Sequence, residues 1–288
     1  MKREKKTHMQ GRLIVFTDLD GTLLDYSTYS YEHSEEGMGL LRERDIPLIF
    51  CTSKSYAEVV YFREKTGNTS PFIVENGGAI YIPGGQAALF RRAGRPGQFR
   101  NSGGYAVIQL GADYARLRQV FEQIKREFHE RVIGFGDMDV RKVASYLNLP
   151  PGLAGMAKER RYDEPFILED PSLLDGIKQF AERRGLRVYP GTRFYHLMGD
   201  TDKGIAVKVL VSAYREMYGG LTSAAVGEGK NDEPMFRQVD VPYLVQRPDG
   251  KYVDIRMDNI VKIDKVGPEG FTSAVKRLLS TEGLYNGI

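Results

Sequence analysis

Two aspartates two residues apart, in Asp18-Leu19-Asp20-Gly21-Thr22, directly follow the apolar run Leu13-Ile14-Val15-Phe16. Carboxylates placed so on a tight loop can divide a reaction between them. One attacks a phosphorus atom and ligates a metal, while the other protonates the leaving oxygen and later activates water. Repulsion and loop amides can separate their protonation states, and Gly21 permits a sharp turn. The bare pentapeptide is equally compatible with a plain turn; its place at the carboxyl end of a buried strand favours chemistry.

A phosphate monoester is a dianion, so its catalyst must neutralise oxygens while leaving phosphorus accessible. Three further segments carry suitable groups. Thr52-Ser53-Lys54 offers a hydroxyl and amides at a helix start, although a plain N-cap has the same signature. Lys203, in Asp202-Lys203-Gly204, opens another helix, where its ammonium can pair with both phosphate and nucleophile; alone it reads as a surface lysine. Gly227-Glu228-Gly229-Lys230-Asn231-Asp232 puts two acids in one loop, which suits Mg²⁺ completed by water and phosphate oxygen, or a turn capping the next helix. Jointly the ordinary readings weaken, because all four segments fall at carboxyl ends of expected strands or at the starts of the following helices.

The elements that must position these groups follow from periodicity. Apolar runs at 13–16, 46–51 and 72–74 alternate with helical stretches at 34–44 and 55–65, the pattern of an α/β fold with a doubly wound, mostly parallel sheet. A Gly/Pro/Arg-rich span at 83–104 reads as a boundary. Beyond it, an alternating strand at 105–110 precedes Tyr114, Leu117, Val120, Phe121, Ile124 and Phe128 at helical spacing. Strands at 164–168, 186–189 and 194–198 and a helix at 173–184 complete an α+β unit. After Lys203 the α/β rhythm returns. The expected organisation is a core from residues 11–84, an inserted α+β cap at 85–199, and the rest of the core at 200–288.

The four segments, in this order, resemble the motifs of the haloacid dehalogenase superfamily, whose phosphatases use an aspartyl-phosphate intermediate and Mg²⁺. PFIVENGGAIYIP at 71–83, GFGDM at 134–138, KERRYDEPF at 158–166, RFYHLMG at 193–199, LVQRPDG at 244–250 and VGPEGF at 266–271 are similar to mannosyl-3-phosphoglycerate phosphatases over nearly the whole chain after residue 11. The resemblance implies a haloacid dehalogenase-like core with Asp18 as nucleophile, Asp20 as general acid and base, Thr52 as the phosphate-binding hydroxyl and Lys203 as the charge-stabilising lysine. It implies Mg²⁺ on the Asp18 carboxylate, the Asp20 carbonyl and the acids Glu228 and Asp232. Ser53, Lys54, Asn76, Gly77, Arg193 and Asn231 are the expected substrate contacts. Glu228 departs from the pattern, which usually has Asp there, followed by Ser and Pro where this chain has Gly229 and Lys230.

The implied reaction is hydrolysis of mannosyl-3-phosphoglycerate to mannosylglycerate, a compatible solute, and phosphate. The alternatives are a glucosyl-3-phosphoglycerate or other sugar-phosphate phosphatase, a phosphomannomutase-like isomerase, and a non-catalytic sugar-phosphate sensor. Intact Asp18 and Asp20 argue against the sensor. His196, alternating with apolar neighbours, reads as a structural histidine. Arg160, Arg161 and Arg193 could each bind the glycerate carboxylate bidentately; only Arg193 is favoured, because an arginine beside acids such as Asp163 and Glu164 reads as a surface ion pair.

Composition is consistent with a small-molecule enzyme. The 288 residues carry 41 Lys and Arg against 38 Asp and Glu, a balance too even for nucleic-acid binding by bulk charge. No apolar stretch is long enough for a membrane span, and the basic start MKREKKTHMQG has no apolar segment behind it. The single cysteine, Cys51, cannot form an internal disulfide, and the expected compartment is the cytoplasm.

Overall fold

The computed structural model describes residues 12–88, 90, 99–128, 131–191 and 194–285. The basic leader and Arg193, an expected substrate contact, lie outside the described residues.

The first six strands are β1 (Arg12–Thr17), β2 (Leu48–Cys51), β3 (Phe72–Val74), β4 (Ala79–Pro83), β5 (Phe99–Ser102) and β6 (Tyr105–Gln109). With β11 (Leu221–Gly227), β12 (Val241–Gln246) and β13 (Val261–Val266) they make one nine-stranded sheet, ordered β13-β12-β11-β1-β2-β3-β4-β6-β5. The six strands from β13 to β3 are parallel, and β4, β6 and β5 extend the edge antiparallel. Because successive side chains on a strand point to opposite faces, Leu13 and Val15 of β1 enter one core while Ile14 and Phe16 enter the other. Helices α1 (Glu35–Arg42), α2 (Tyr56–Thr66) and α9 (Gly267–Tyr285) cover the first face through Leu41, Phe62 and Phe271. Helices α7 (Lys203–Tyr218) and α8 (Glu233–Phe236) cover the second through Leu210 and Phe236. Burial on both faces is why β1 reads as an unbroken apolar run.

The second sheet has four strands, β7 (Val132–Gly134), β8 (Asp163–Leu168), β9 (Arg187–Pro190) and β10 (Tyr195–Met198), ordered β7-β8-β10-β9 with every pair antiparallel. Helices α3 (Tyr114–Glu127) and α6 (Leu174–Glu182) pack on one face, placing Phe121 and Ile177 against Phe166, Leu168 and Leu197. The expected α+β character of this inserted unit is thereby met. Two further short helices, α4 (Val140–Leu147) and α5 (Pro151–Lys158), form a separate small core with Phe135 and Phe194.

The sheet crosses the expected division at residue 84. The strand expected to open the insert is β6, which pairs with β4 from Ala79↔Gln109 to Pro83↔Tyr105. The alternation at 105–110 announced a strand but carried no information about its partner, and β4 was an open edge that it could pair.

Candidate active site

Sheet register brings the motifs together. At the carboxyl ends Thr17 of β1 pairs with Val226 of β11 and with Phe50 of β2, so the loops beginning at Asp18, Thr52 and Glu228 leave side by side. The strand order reverses at β1, the place where open α/β sheets form a crevice for ligands. The Asp18 amide donates to the Val226 carbonyl at 3.0 Å, which fixes the loop as it leaves β1. Gly21 turns with φ +72°, and a side-chain carbon there would press on Glu228 at 3.2 Å.

Lys203 enters from the first turn of α7, where Asp202 caps the helix by accepting from the Ile205 amide at 2.8 Å. Its Nζ donates to Asp18 Oδ1 at 2.7 Å and to Asp232 Oδ1 at 2.6 Å. All three side chains are buried, and losing the ammonium would strand two buried carboxylates, at a cost of about 3–5 kcal/mol. Burial pushes the Asp18 carboxyl up, against the pull of Lys203, and Asp232 adds to the rise. Against the effect of burial, Asp18 and Asp232 raise Lys203 above the usual lysine range, so it stays charged.

Asp20 stands at the mouth of the cleft with its side chain one-third exposed, 2.9 Å from Lys54 Nζ. Lys54 also reaches Glu58 at 3.3 Å and lies over the Tyr29 ring. Glu58 is held in turn by a reciprocal cap at the start of α2, its carboxylate accepting from the Ser55 amide and the Ser55 hydroxyl accepting from its own. The sequence Ser55-x-x-Glu58 encodes this cap, which stops the lysine's second partner from wandering. Asp18, Asp20, Ser53, Lys54, Glu228 and Asn231 line one cleft with Arg160, Pro165 and His196 of the inserted unit.

Both oxygens of Asp232 have protein partners. Oδ1 takes Lys203, and Oδ2 accepts from the Glu228 and Gly229 amides at 3.0 and 2.9 Å. Such an acid anchors its loop. Among the described residues no three His, Cys, Asp or Glu side chains cluster to hold a metal by themselves. Two carboxylates remain, Asp18 and Glu228. Burial, then Asp232 and Asp18, push Glu228 up to about 8, with Arg247 4.0 Å from its Oε2. Acids concentrated in this way beside one ammonium favour an added hard cation. With the Asp20 carbonyl, phosphate and water they make an oxygen set suited to Mg²⁺.

Thr52 is fully buried, and its hydroxyl accepts from the Lys54 amide at 3.2 Å, which ties the loop to itself. Asn76 Oδ1 accepts from Asn231 Nδ2 at 3.4 Å, so these two expected contacts meet. Gly77, at φ +93°, packs where a side chain would run into the Asp202 carbonyl, and its own carbonyl accepts from Thr201. It allows the chain to approach the base of α7. Cys51 is buried, and burial pushes its thiol up, away from nucleophilic use.

Three residues at the site are not among those expected there. Glu75 is fully buried and accepts from the Arg161 and Tyr162 amides, while its own amide donates to the Lys54 carbonyl. Arg160, read as a surface residue, is buried and donates to the Ser53 carbonyl at 2.7 Å. With Ser55 Oγ donating to Met156 and Tyr29 OH donating to Leu147, these bonds seat the insert on the catalytic loops. His196, expected to be structural, lines the cleft while bonded to Asp163. Arg161 stacks over Tyr56 and donates to Tyr81 OH.

Residues 15–92 match the family model of haloacid dehalogenase-like hydrolases. A glucosyl-3-phosphoglycerate/mannosyl-3-phosphoglycerate phosphatase of Methanococcoides burtonii is 40% identical, over 92% of this chain and 97% of its own. A mannosyl-3-phosphoglycerate phosphatase of Pyrococcus furiosus is 33% identical, over 88% of this chain and 96% of its own. In three dimensions, a protein of Thermoplasma acidophilum superposes with a TM-score of 0.62 at 18% identity, covering 94% of this chain and 99% of that one. No helix among the described residues is long and apolar enough to cross a membrane.

Proposed function

The chain belongs to the haloacid dehalogenase-like hydrolases and is a phosphatase, and on that premise we propose that it hydrolyses mannosyl-3-phosphoglycerate to mannosylglycerate and phosphate. Glucosyl-3-phosphoglycerate is the second substrate to consider, since the name of the Methanococcoides relative includes both. The observation that carries the reading is the buried Asp18–Lys203–Asp232 bridge beneath a cleft with Asp20 at its mouth.

Lys203 holds one Asp18 oxygen, which orients the other toward the cleft. That free oxygen attacks phosphorus as the bond to the glycerate oxygen breaks, and Asp20 supplies the proton the leaving oxygen needs. The product is an aspartyl phosphate on Asp18. Asp20, now a carboxylate steadied by Lys54, then takes a proton from water as that water attacks phosphorus and returns Asp18. Ser53, Lys54 and Asn231 are placed to bind the phosphoryl oxygens from the cleft wall. Asp18, the Asp20 carbonyl and Glu228 would hold Mg²⁺, which supplies charge neutralisation for the phosphate when bound. The bonds from Arg160, Ser55 and Tyr29 keep the cap seated over the cleft, limiting water around the reacting atoms.

The test is phosphate release from mannosyl- and glucosyl-3-phosphoglycerate, 3-phosphoglycerate and hexose phosphates, with Mg²⁺ and with a chelator. The reading requires a glycosyl-3-phosphoglycerate to give the highest kcat/KM and the chelator to abolish turnover. Faster release from simple hexose phosphates would reject the assigned substrate.

A further inference from the structure

Glycosyl-3-phosphoglycerate branches at the glycerate, and two cavities adjoin beneath the cap. One runs over Asp18, Asp20 and Lys54 toward Tyr29, Phe135 and Leu147. The other, of about 200 Å³, is lined by Tyr189, Met198 and Pro234. Gly191, His196 and Asn231 line both and so stand where the two meet.

The cap sheet presents His196 there through its register. On β10, Tyr195 and Leu197 face the core beneath α3 and α6, which leaves His196 and Met198 on the opposite face, over the cleft. His196 pairs with Pro165 and Met198 with Asp163, so Asp163 is a diagonal neighbour of His196 on that same face. Asp163 is fully buried, and its Oδ2 lies 2.8 Å from His196 Nδ1. A carboxylate can only accept, so Nδ1 carries the hydrogen and Nε2 is left for another partner. Gly191 lies directly against Nε2, where a side-chain carbon would stand 2.6 Å away. Glycine therefore adds no side chain over this nitrogen, which has no hydrogen-bond partner among the described residues.

We propose that His196, its ring held by Asp163, is a specificity residue that hydrogen-bonds a hydroxyl of the substrate's sugar through Nε2. This rests on the substrate reading above. A hydroxyl can serve Nε2 as donor or as acceptor, and the sugar supplies hydroxyls where the phosphate and glycerate carboxylate supply only acceptors. In such a glycoside the sugar hydroxyl nearest the branch atom is the one on C2. It is also the hydroxyl whose orientation distinguishes mannose from glucose.

The experiment compares kcat/KM of wild type, His196→Ala and Asp163→Asn on mannosyl-3-phosphoglycerate and on its 2-deoxy analogue. Wild type should prefer the hydroxyl-bearing substrate about tenfold, the value of one buried hydrogen bond whose loss strands a partner. In His196→Ala the preference should fall to about one. Asp163→Asn keeps the ring but removes the carboxylate that holds Nδ1–H and the ring's orientation, and should weaken the preference as well. A merely structural histidine would lower both substrates equally, and an unchanged preference in His196→Ala would overturn the proposal while leaving the substrate reading intact. If wild type hydrolyses neither compound but does hydrolyse other phosphate esters, the substrate reading falls and this assignment falls with it.

Discussion

Glu75→Gln isolates one buried acid at the seam between the cap and the catalytic loops. Burial pushes the Glu75 carboxyl up to about 7, against the downward pull of Arg160 and of the Tyr162 and Arg161 amides. In the unfolded chain the same carboxyl titrates near 4.5. As pH rises from 4.5, the unfolded state gives up its proton while the folded state keeps it, so the proton-linked stability is full below 4.5 and is lost on the way to about 7. At about 1.4 kcal/mol per pH unit, the wild type should lose about 3 kcal/mol over that window through this one group. Glutamine is nearly isosteric, retains an oxygen for the two amides and does not titrate. Urea unfolding of both proteins between pH 4.5 and 8, with chelator present, gives the difference in free energy, from which the other acids cancel. The difference should shift by about 3 kcal/mol in favour of glutamine as pH rises, then level off. Parallel curves for the two proteins would refute the buried, proton-holding carboxyl. Glu75→Ala should be less stable than Glu75→Gln throughout, because it leaves buried amides unpaired, at about 1–3 kcal/mol each.

Asp18→Asn should lower phosphate release by about a thousandfold or more while the circular dichroism spectrum is unchanged, whereas Asp20→Asn should accumulate a phosphorylated protein detectable by intact mass spectrometry. Glu228→Ala should weaken Mg²⁺ binding by about tenfold or more in calorimetry without substrate; unchanged binding would leave the ion to Asp18 and the Asp20 carbonyl. Gly77→Ala should destabilise by about 1–3 kcal/mol in urea unfolding, since the added carbon meets the Asp202 backbone at a positive φ, and should lower kcat by disturbing the start of α7.

The chemistry was legible in the sequence because each catalytic segment is local. An apolar run followed at once by Asp18-x-Asp20, by Thr52-Ser53-Lys54 or by Gly227-Glu228 states both the strand and the groups at its carboxyl end. Helical periodicity at Leu117, Val120, Phe121 and Ile124 likewise announced the face that α3 buries. What depended on partners far along the chain was decided by the tertiary structure alone. Pairing of β6 with β4 required an open edge at Ala79–Pro83, so strand alternation could not tell core from cap. Asp232 bridges to Asp18 because Lys203 comes within hydrogen-bonding distance of both from α7, and that approach exists only once α7 packs on the sheet. His196 looks like any polar residue in an alternating strand until register sets Asp163 beside one ring nitrogen and folding brings Gly191, which has no side chain, against the other. Glu75 and Arg160 each bond a segment about ninety or more residues away, Tyr162 and Ser53 respectively. A side chain's type and spacing specify what it can do; its charge state, its partner and its role follow from which distant surfaces folding brings against it.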